Sequence, residues 1–219
     1  MAESSSVTFG YWHLRGRGAI PRLVLEYTGT KYDEKRYVKP EEWFGGDKNS
    51  IGFDFPNLPY LVDGDFKLTE TRAIVLYVIR RSGHNELLGK DVKQQATQGM
   101  IGGVVEDVNK AIVELVFNPD YETVKAEKFK GLTYKLDHLK AFLGTQEWLA
   151  GFFSVADFTF YETWNYIRGI FPEESKAYES FNAHHDRFEA VPQIKAYLAS
   201  DRNIKAPYLP KAYGAKWTG

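Results

Sequence analysis

Apolar, β-branched and aromatic residues run together over 7–12 (Val-Thr-Phe-Gly-Tyr-Trp), which predicts a strand. Residues 19–27 place apolar side chains at helical spacing. Pro21 sits early in that run, where a missing N–H costs least, and Gly29 follows as a stop. Residues 32–38 alternate and predict a second strand, and 41–48 read as a short irregular or helical stretch around Trp43. Tyr60-Leu61-Val62 and Phe66-Lys67-Leu68 flank Asp63-Gly64-Asp65, a hairpin turn signal. A helix over 71–82, closed by Gly83, completes the series. The order is β-α-β, an irregular piece, then β-β-α, which predicts a small α/β domain over 7–83.

Residues 84–90 read as a linker, and from Asp91 onward strand signals nearly vanish. One long helix is expected over 93–117. On it Met100, Val104, Val108, Ala111 and Leu115 lie within ~80° of one another, and Ile101, Val105 and Ile112 widen the arc to about 140°. So wide a face points to contact on two sides, inside the domain and with a second copy. Further helices are expected over 121–143, 155–170, 174–189 and 193–200. Ser154-Val155-Ala156-Asp157 has the form of a capping box, with Asp in place of the usual Glu. The second domain, 91–219, is therefore all-helical. Residues 1–6 are polar, without a basic n-region or an apolar h-region, and are expected to be a flexible tail rather than a signal peptide.

The 219 residues carry 28 basic and 29 acidic side chains. Such a balance offers no field to attract nucleic acid or an anionic membrane. No apolar run approaches the ~18 residues of a membrane span. There is no cysteine, so disulfides, thiolate metal sites and a cysteine nucleophile are excluded. Any thiol chemistry must come from the ligand. The histidines His13, His84, His138, His184 and His185 form no metal constellation; His184 and His185 are adjacent and point apart on a helix. No metal and no resident cofactor are expected, and a cytoplasmic location is the default.

Gly10-Tyr11-Trp12, Leu25-Glu26-Tyr27-Thr28, the run 54–61 (DFPNLPYL), Trp148-Leu149-Ala150-Gly151 and Ile194-Lys195-Ala196-Tyr197-Leu198 recur in this order and at these separations. Together they resemble the cytosolic glutathione transferases, the mu class most closely, over residues 8–217. The element order likewise resembles a thioredoxin-like domain. The resemblance implies a thioredoxin-like N-terminal domain followed by an all-helical C-terminal domain. It further implies a homodimer, with glutathione as co-substrate and small hydrophobic electrophiles as partners.

The resemblance makes Tyr11 the catalyst. A free thiol has a pKa of about 8.5, so little of it is thiolate at neutral pH. A phenol O–H donated to sulfur stabilises the anion by about 1.5–3 kcal/mol, enough for one to two pKa units. The alternative is an aromatic strand residue packing on a core. Trp12, Trp43 and Lys48 match positions that hold glutathione, by indole donors and a cation suited to its carboxylates. Trp43 reads equally as a plug beneath a loop, and 43–52 is one residue longer than the family pattern, which leaves the register of Lys48 open. Asn57-Leu58-Pro59 is expected to carry a cis peptide before Pro59 and to offer the Leu58 backbone to the cysteinyl backbone of glutathione.

Glu70-Thr71 stands where the family shows Gln-Ser. Thr71 keeps a hydroxyl for the γ-glutamyl end. Glu70 either accepts from its ammonium or is a favourable charge at a helix start. Asp107 matches an aspartate that reaches the other subunit's glutathione, or else is solvated. Phe55 matches an aromatic dimer contact, or else is a core residue. Leu14, Arg17, Val113, Phe117 and Tyr208 are expected around the electrophile. Arg15-Gly16-Arg17-Gly18 places Arg17 where the family has an apolar residue, either at the pocket mouth or in solvent. Phe117 replaces the family's tyrosine and removes a hydroxyl. Several residues are missing between Tyr37 and Trp43, where mu-class members carry a loop. Against the transferase stand two readings: a non-catalytic binding or structural protein on the same fold, and a sigma-like isomerase.

Overall fold

The computed structural model describes residues 6–219. The tail expected at 1–6 lies outside them except for Ser6, whose hydroxyl donates to Asp33 (3.0 Å). Strands β1 (Val7–Trp12), β2 (Tyr32–Tyr37), β3 (Tyr60–Asp63) and β4 (Phe66–Thr69) form one sheet in the order β2-β1-β3-β4. β1 runs parallel to β2 and antiparallel to β3, and β3–β4 is the hairpin. Central β1 is buried along most of its length, hence its apolar run, whereas edge strand β2 alternates. Gly10 is required in β1, because a Cβ there would lie 2.2 Å from the Tyr60 ring.

Helices α1 (Ala19–Tyr27) and α4 (Thr71–Arg81) pack against each other. Leu23, Val24, Leu25, Ile74, Val78 and Ile79 are buried there. The stretch before the hairpin is α2 (Pro40–Glu42), a π turn (Trp43–Asp47) and α3 (Lys48–Ser50).

The second half contains α5 (Val92–Val116), α6 (Tyr121–Leu143), α7 (Val155–Ile170), α8 (Glu179–Ala190) and α9 (Pro192–Ala199). Asp91 caps α5, accepting from the N–H groups of Lys93 and Gln94, so the helix starts one residue earlier than its pattern predicts. Its apolar arc divides. Ile101, Val105, Val108, Ile112 and Leu115 are buried, while Met100 is 57% exposed. α7 is enclosed on most sides, with Phe158, Phe160, Trp164 and Ile167 in the core.

The Ser154–Asp157 capping box forms as expected and extends further. Asp157 Oδ2 accepts from the Ser154 N–H (2.8 Å) and hydroxyl (3.0 Å). Oδ1 accepts from the Leu149 N–H (3.0 Å) and meets His184 Nε2 (2.8 Å). Ser154, Asp157 and His184 are all fully buried.

The helix expected over 174–189 is broken. A 3-10 turn (Glu174–Ala177) precedes α8, and Tyr178 between them is not helical. Burial of its ring explains the break. Tyr178 stacks on Phe181 (5.5 Å), meets Trp164 edge-on (5.7 Å), and donates to Asp137 (3.1 Å). The Ser175 carbonyl accepts from the Tyr178 N–H and from the Asn182 amide, both at 3.1 Å.

Two compact units divide the chain at His84/Asn85, but Ala196–Tyr208 groups with the first. The expected linker 84–90 is not loose, since Leu87 and Leu88 are buried. The expected second domain, 91–219, gives up 196–208 because that segment bonds to the β1–α1 turn. Arg15 N–H donates to the Pro207 carbonyl and Gly16 N–H to the Tyr208 carbonyl, both at 2.9 Å.

Candidate active site

Tyr11 is the last residue but one of the central strand, paired in register with Arg36 of β2. Its side chain is 6% exposed. The turn that follows wraps the ring. A Cβ on Gly18 would fall 2.4 Å from Tyr11 Cδ1, and one on Gly16 would fall 2.8 Å from the Tyr11 hydroxyl at a φ of +38°. The glycines are there for close approach, not merely for a bend. The N–H of Arg17, inside the Gly16–Gly18 3-10 turn, donates to the Tyr11 oxygen at 3.0 Å. The phenol's own proton has no acceptor among the described residues. Burial pushes the phenol above its ordinary pKa of 10, while the Arg17 N–H and the charges of Arg22 and Arg17 pull it back. Tyr11 is thus a neutral, pre-aimed donor at physiological pH.

Gly18→Ala tests that aim. The added methyl must displace the Tyr11 ring, so kcat/KM is expected to fall about tenfold, a shift well short of 1 Å sufficing. Steady-state kinetics on the variant check this, with an unchanged far-ultraviolet dichroism spectrum showing that the fold is retained.

A polar rim runs on from Tyr11. The Thr71 hydroxyl donates to the Arg17 carbonyl (3.1 Å). Glu70, before α4, holds a φ of +73°, a conformation non-glycine residues adopt only under constraint. Its carboxylate accepts from the Asn57 amide (2.9 Å), and the Asn57 oxygen accepts from the Leu58 N–H (2.9 Å). Leu58–Pro59 is cis, as expected, and so is Ala206–Pro207, which the sequence did not signal. Tyr11, Arg17, Thr71, Glu70, Asn57 and Leu58 therefore lie along one run of hydrogen bonds and chain neighbours.

Beside them the segment 40–52 is anchored by aromatic packing. Trp43 is buried, stacked on Tyr60 (6.0 Å) and edge-on to Tyr37 (5.5 Å). Its ring thus packs beneath the loop. The Tyr37 hydroxyl donates to Asp47 (2.5 Å), which also pairs with Lys35. Lys35, and then Tyr37, hold the Asp47 carboxyl below the usual carboxylate range. Trp12 lies 6.0 Å from Phe44, and the Lys48 ammonium sits 5.4 Å from the same ring. Trp12 and Lys48 thus share one aromatic neighbour, and a π turn over Trp43–Asp47 lies within the long segment 43–52.

The remaining expected residues are placed individually. Leu14 is buried and Tyr208 half-buried, with the Arg15 guanidinium 4.7 Å from the Tyr208 ring. Arg17 is exposed, as its reading as a solvent residue expects, and it is its backbone N–H that bonds to Tyr11. Phe55 is 80% exposed and so is not a core residue of this chain. On α5, Val113 is half-buried, and so is Phe117, which caps the helix C-terminus. Asp107 is exposed, yet its carboxylate receives the Lys135 ammonium of α6 at 2.5 Å, which holds it below the usual range. Among the described residues, no group of three or more histidine or acidic side chains is placed to hold a metal ion, and no helix is long and apolar enough to cross a membrane.

The models of the glutathione S-transferase N-terminal and C-terminal domains match residues 7–80 and 106–201. Glutathione S-transferase Mu 1 of Oryctolagus cuniculus is 37% identical over 97% of this chain and 99% of its own length. The chain belongs to the glutathione S-transferase family. A class-mu 26 kDa glutathione S-transferase isozyme of Fasciola hepatica is also 37% identical, over 90% of each chain. Glutathione S-transferase 2 of Gallus gallus is 36% identical over 96% of this chain and 97% of its own. The crystal structure of the glutathione S-transferase Blo t 8 superposes with a TM-score of 0.86 at 28% identity, covering 97% of this chain and all of that one. The architecture matches the family expectation of a four-stranded sheet with helices, followed by helices alone.

In this glutathione S-transferase, sequence reasoning missed Arg15, Arg22, Tyr37, Asp47 and Tyr60. Arg22 alone left a signal: a charge among the apolar positions of α1. The rest work through partners far away in the chain.

Proposed function

We propose that this protein conjugates glutathione to small apolar electrophiles. The observation that carries the reading is the Tyr11 hydroxyl, buried, fixed by the Arg17 N–H and left with a proton to donate. In this reading the glutathione thiol gives its proton to solvent, and the Tyr11 O–H bonds to the resulting thiolate. A sulfur lone pair then forms the C–S bond while the leaving group departs with its bonding pair. Tyr11 keeps its own proton throughout. The γ-glutamyl end is assigned to Glu70, Thr71 and the start of α4, and the cysteinyl backbone to Leu58. The glycyl carboxylate is assigned to Trp12 and Lys48. A ligand carbonyl meeting the Leu58 N–H displaces the Asn57 oxygen from it, and Glu70 is placed to hold the released amide.

Phe55, exposed, and the uncovered Met100 edge of α5 support a homodimer. Asp107 reaches a partner's ligand only by giving up Lys135. Cytoplasmic detoxification is the setting this reading implies. Phe117 offers an aromatic wall without a hydroxyl, so Phe117→Tyr raises turnover of epoxides about tenfold and leaves aryl halides within about twofold, as one added hydrogen bond allows. Unchanged epoxide turnover removes Phe117 from the electrophile's surroundings.

The test of the function is the initial rate of thioether formation with glutathione and an activated aryl halide. Saturation in both substrates, well above the uncatalysed rate, is the expected result. Glutathione binding without rate enhancement returns the protein to the binding or structural reading.

A further inference from the structure

Arg22 lies within α1 and is 1% exposed. A guanidinium so buried needs its donors satisfied and its charge balanced. Nε donates to Glu34 (2.6 Å). One terminal nitrogen donates to the Leu14 carbonyl (2.7 Å) and, at 3.5 Å, to that of Arg15; the other donates to the Trp12 carbonyl (3.2 Å). All three carbonyls belong to the turn leaving Tyr11. The guanidinium carbon is 5.7 Å from the centre of the Tyr11 ring. Glu34 is shared, since its other oxygen accepts from Arg36 (2.8 Å), which in turn donates to the Arg202 carbonyl (2.6 Å).

We infer that Arg22 is a positioning residue for the Tyr11 hydroxyl, its planar fork holding the turn 12–15 so that the Arg17 N–H meets the phenol oxygen. The inference rests on the reading of Tyr11 as the group that activates the glutathione thiol. Two effects act together. The fork ties three carbonyls of one turn to a single rigid group, which an ammonium cannot do. The charge also favours electron density on the phenol oxygen, and with it the thiolate. Glu34 tempers that charge. The groups that set the field at the phenol are thus Arg17 and Arg22 facing it, with Glu34 and Arg36 behind.

The test is an ultraviolet titration of the thiolate band of enzyme-bound glutathione, with kcat and KM, in wild type, Arg22→Lys and Glu34→Gln. Arg22→Lys keeps the charge and loses the fork. The bound thiol's apparent pKa is expected to rise by about one unit, with about a tenfold loss of kcat at pH 6.5 and KM for glutathione within about twofold. Glu34→Gln keeps an acceptor for Arg22 Nε and removes its counter-charge, so the pKa is expected to move the other way, down by about half a unit. A purely structural Arg22 gives no such opposed pair of shifts. An unmoved pKa in folded Arg22→Lys overturns the inference. If that variant does not fold, Glu34→Gln decides, and a shift that is absent or upward overturns it. Failure of the wild type to depress the thiol pKa overturns the reading of Tyr11 itself, and this inference with it. A depressed wild-type value with unmoved variants removes Arg22 alone.

Discussion

Tyr11→Phe lowers kcat/KM for conjugation at pH 6.5 by about 10–100-fold, with little change in KM for glutathione. In the proposed reading the phenol provides a charge-assisted hydrogen bond to sulfur worth about 1.5–3 kcal/mol, or one to two decades. That bond exists only with the thiolate, so its loss falls on the reactive form rather than on tripeptide binding. The size of the loss depends on pH with a definite sign. On that reading the hydrogen bond lowers the thiol's pKa in the wild type, so the wild-type rate is expected to level off near neutrality. In the variant the thiol titrates near its free value of about 8.5. The deficit is therefore greatest below pH ~6.5 and shrinks above pH ~9, where both enzymes carry thiolate. A deficit independent of pH contradicts the account, because it means the phenyl ring has only disturbed the site. Phenylalanine removes one oxygen and leaves the ring that Gly16 and Gly18 enclose, so the fold is retained.

Asp157→Ala has the largest expected effect on stability. Its carboxylate serves the Ser154 N–H and hydroxyl, the Leu149 N–H and His184, all buried. Truncation loses the cap of α7 and leaves the Leu149 N–H and His184 Nε2 without their acceptor. His184 Nδ1 already has no partner among the described residues, so the ring cannot compensate by turning over. A lost cap costs about 1 kcal/mol, and each stranded buried donor about 1–3 kcal/mol more. The sum is about 3–7 kcal/mol, a fall in Tm of roughly 10–20 °C for a chain of this size. Asp157→Asn keeps one acceptor and is expected to lose about half as much. Urea midpoints and calorimetry at pH 7 measure both. A loss below about 1 kcal/mol for the alanine variant means that the box is not what holds α7 in place.

The features legible in the sequence were those whose cause is local. β1, α1, α6 and α7 have the expected bounds, because each carries its own period and its own cap or breaker. Pro21, Gly29 and the Ser154–Asp157 box act within a turn or two of where they stand. The helix expected over 174–189 divides because the Tyr178 ring is worth more stacked on Phe181 and Trp164 than in a continuous helix, a tertiary effect that no period reveals.

The candidate site shows the same division. Tyr11, Thr71, Glu70, Asn57 and Leu58 could be named from short motifs, and they do lie together. Arg22 could be seen only as a charge among the apolar positions of α1, and its role could not, because its partners are carbonyls seven to ten positions away and a carboxylate on β2. Nor could the docking of Ala196–Tyr208 on the β1–α1 turn, which is made by backbone groups that carry no residue identity. Trp43 can be named from the sequence, but its burial against Tyr37 and Tyr60 depends on residues that only the sheet brings near. The Lys135 bond to Asp107 joins two helices, and their spacing along the chain gives no sign of it.

The central claim is that the Tyr11 hydroxyl stabilises the thiolate of bound glutathione. Ultraviolet difference titration of the bound thiol, in wild type and in Tyr11→Phe, tests it most directly. The account predicts a thiolate band with an apparent pKa one to two units below the free thiol's ~8.5 in wild type, returning to about 8.5 in the variant. Bound glutathione that titrates at the same pH in both proteins would contradict it.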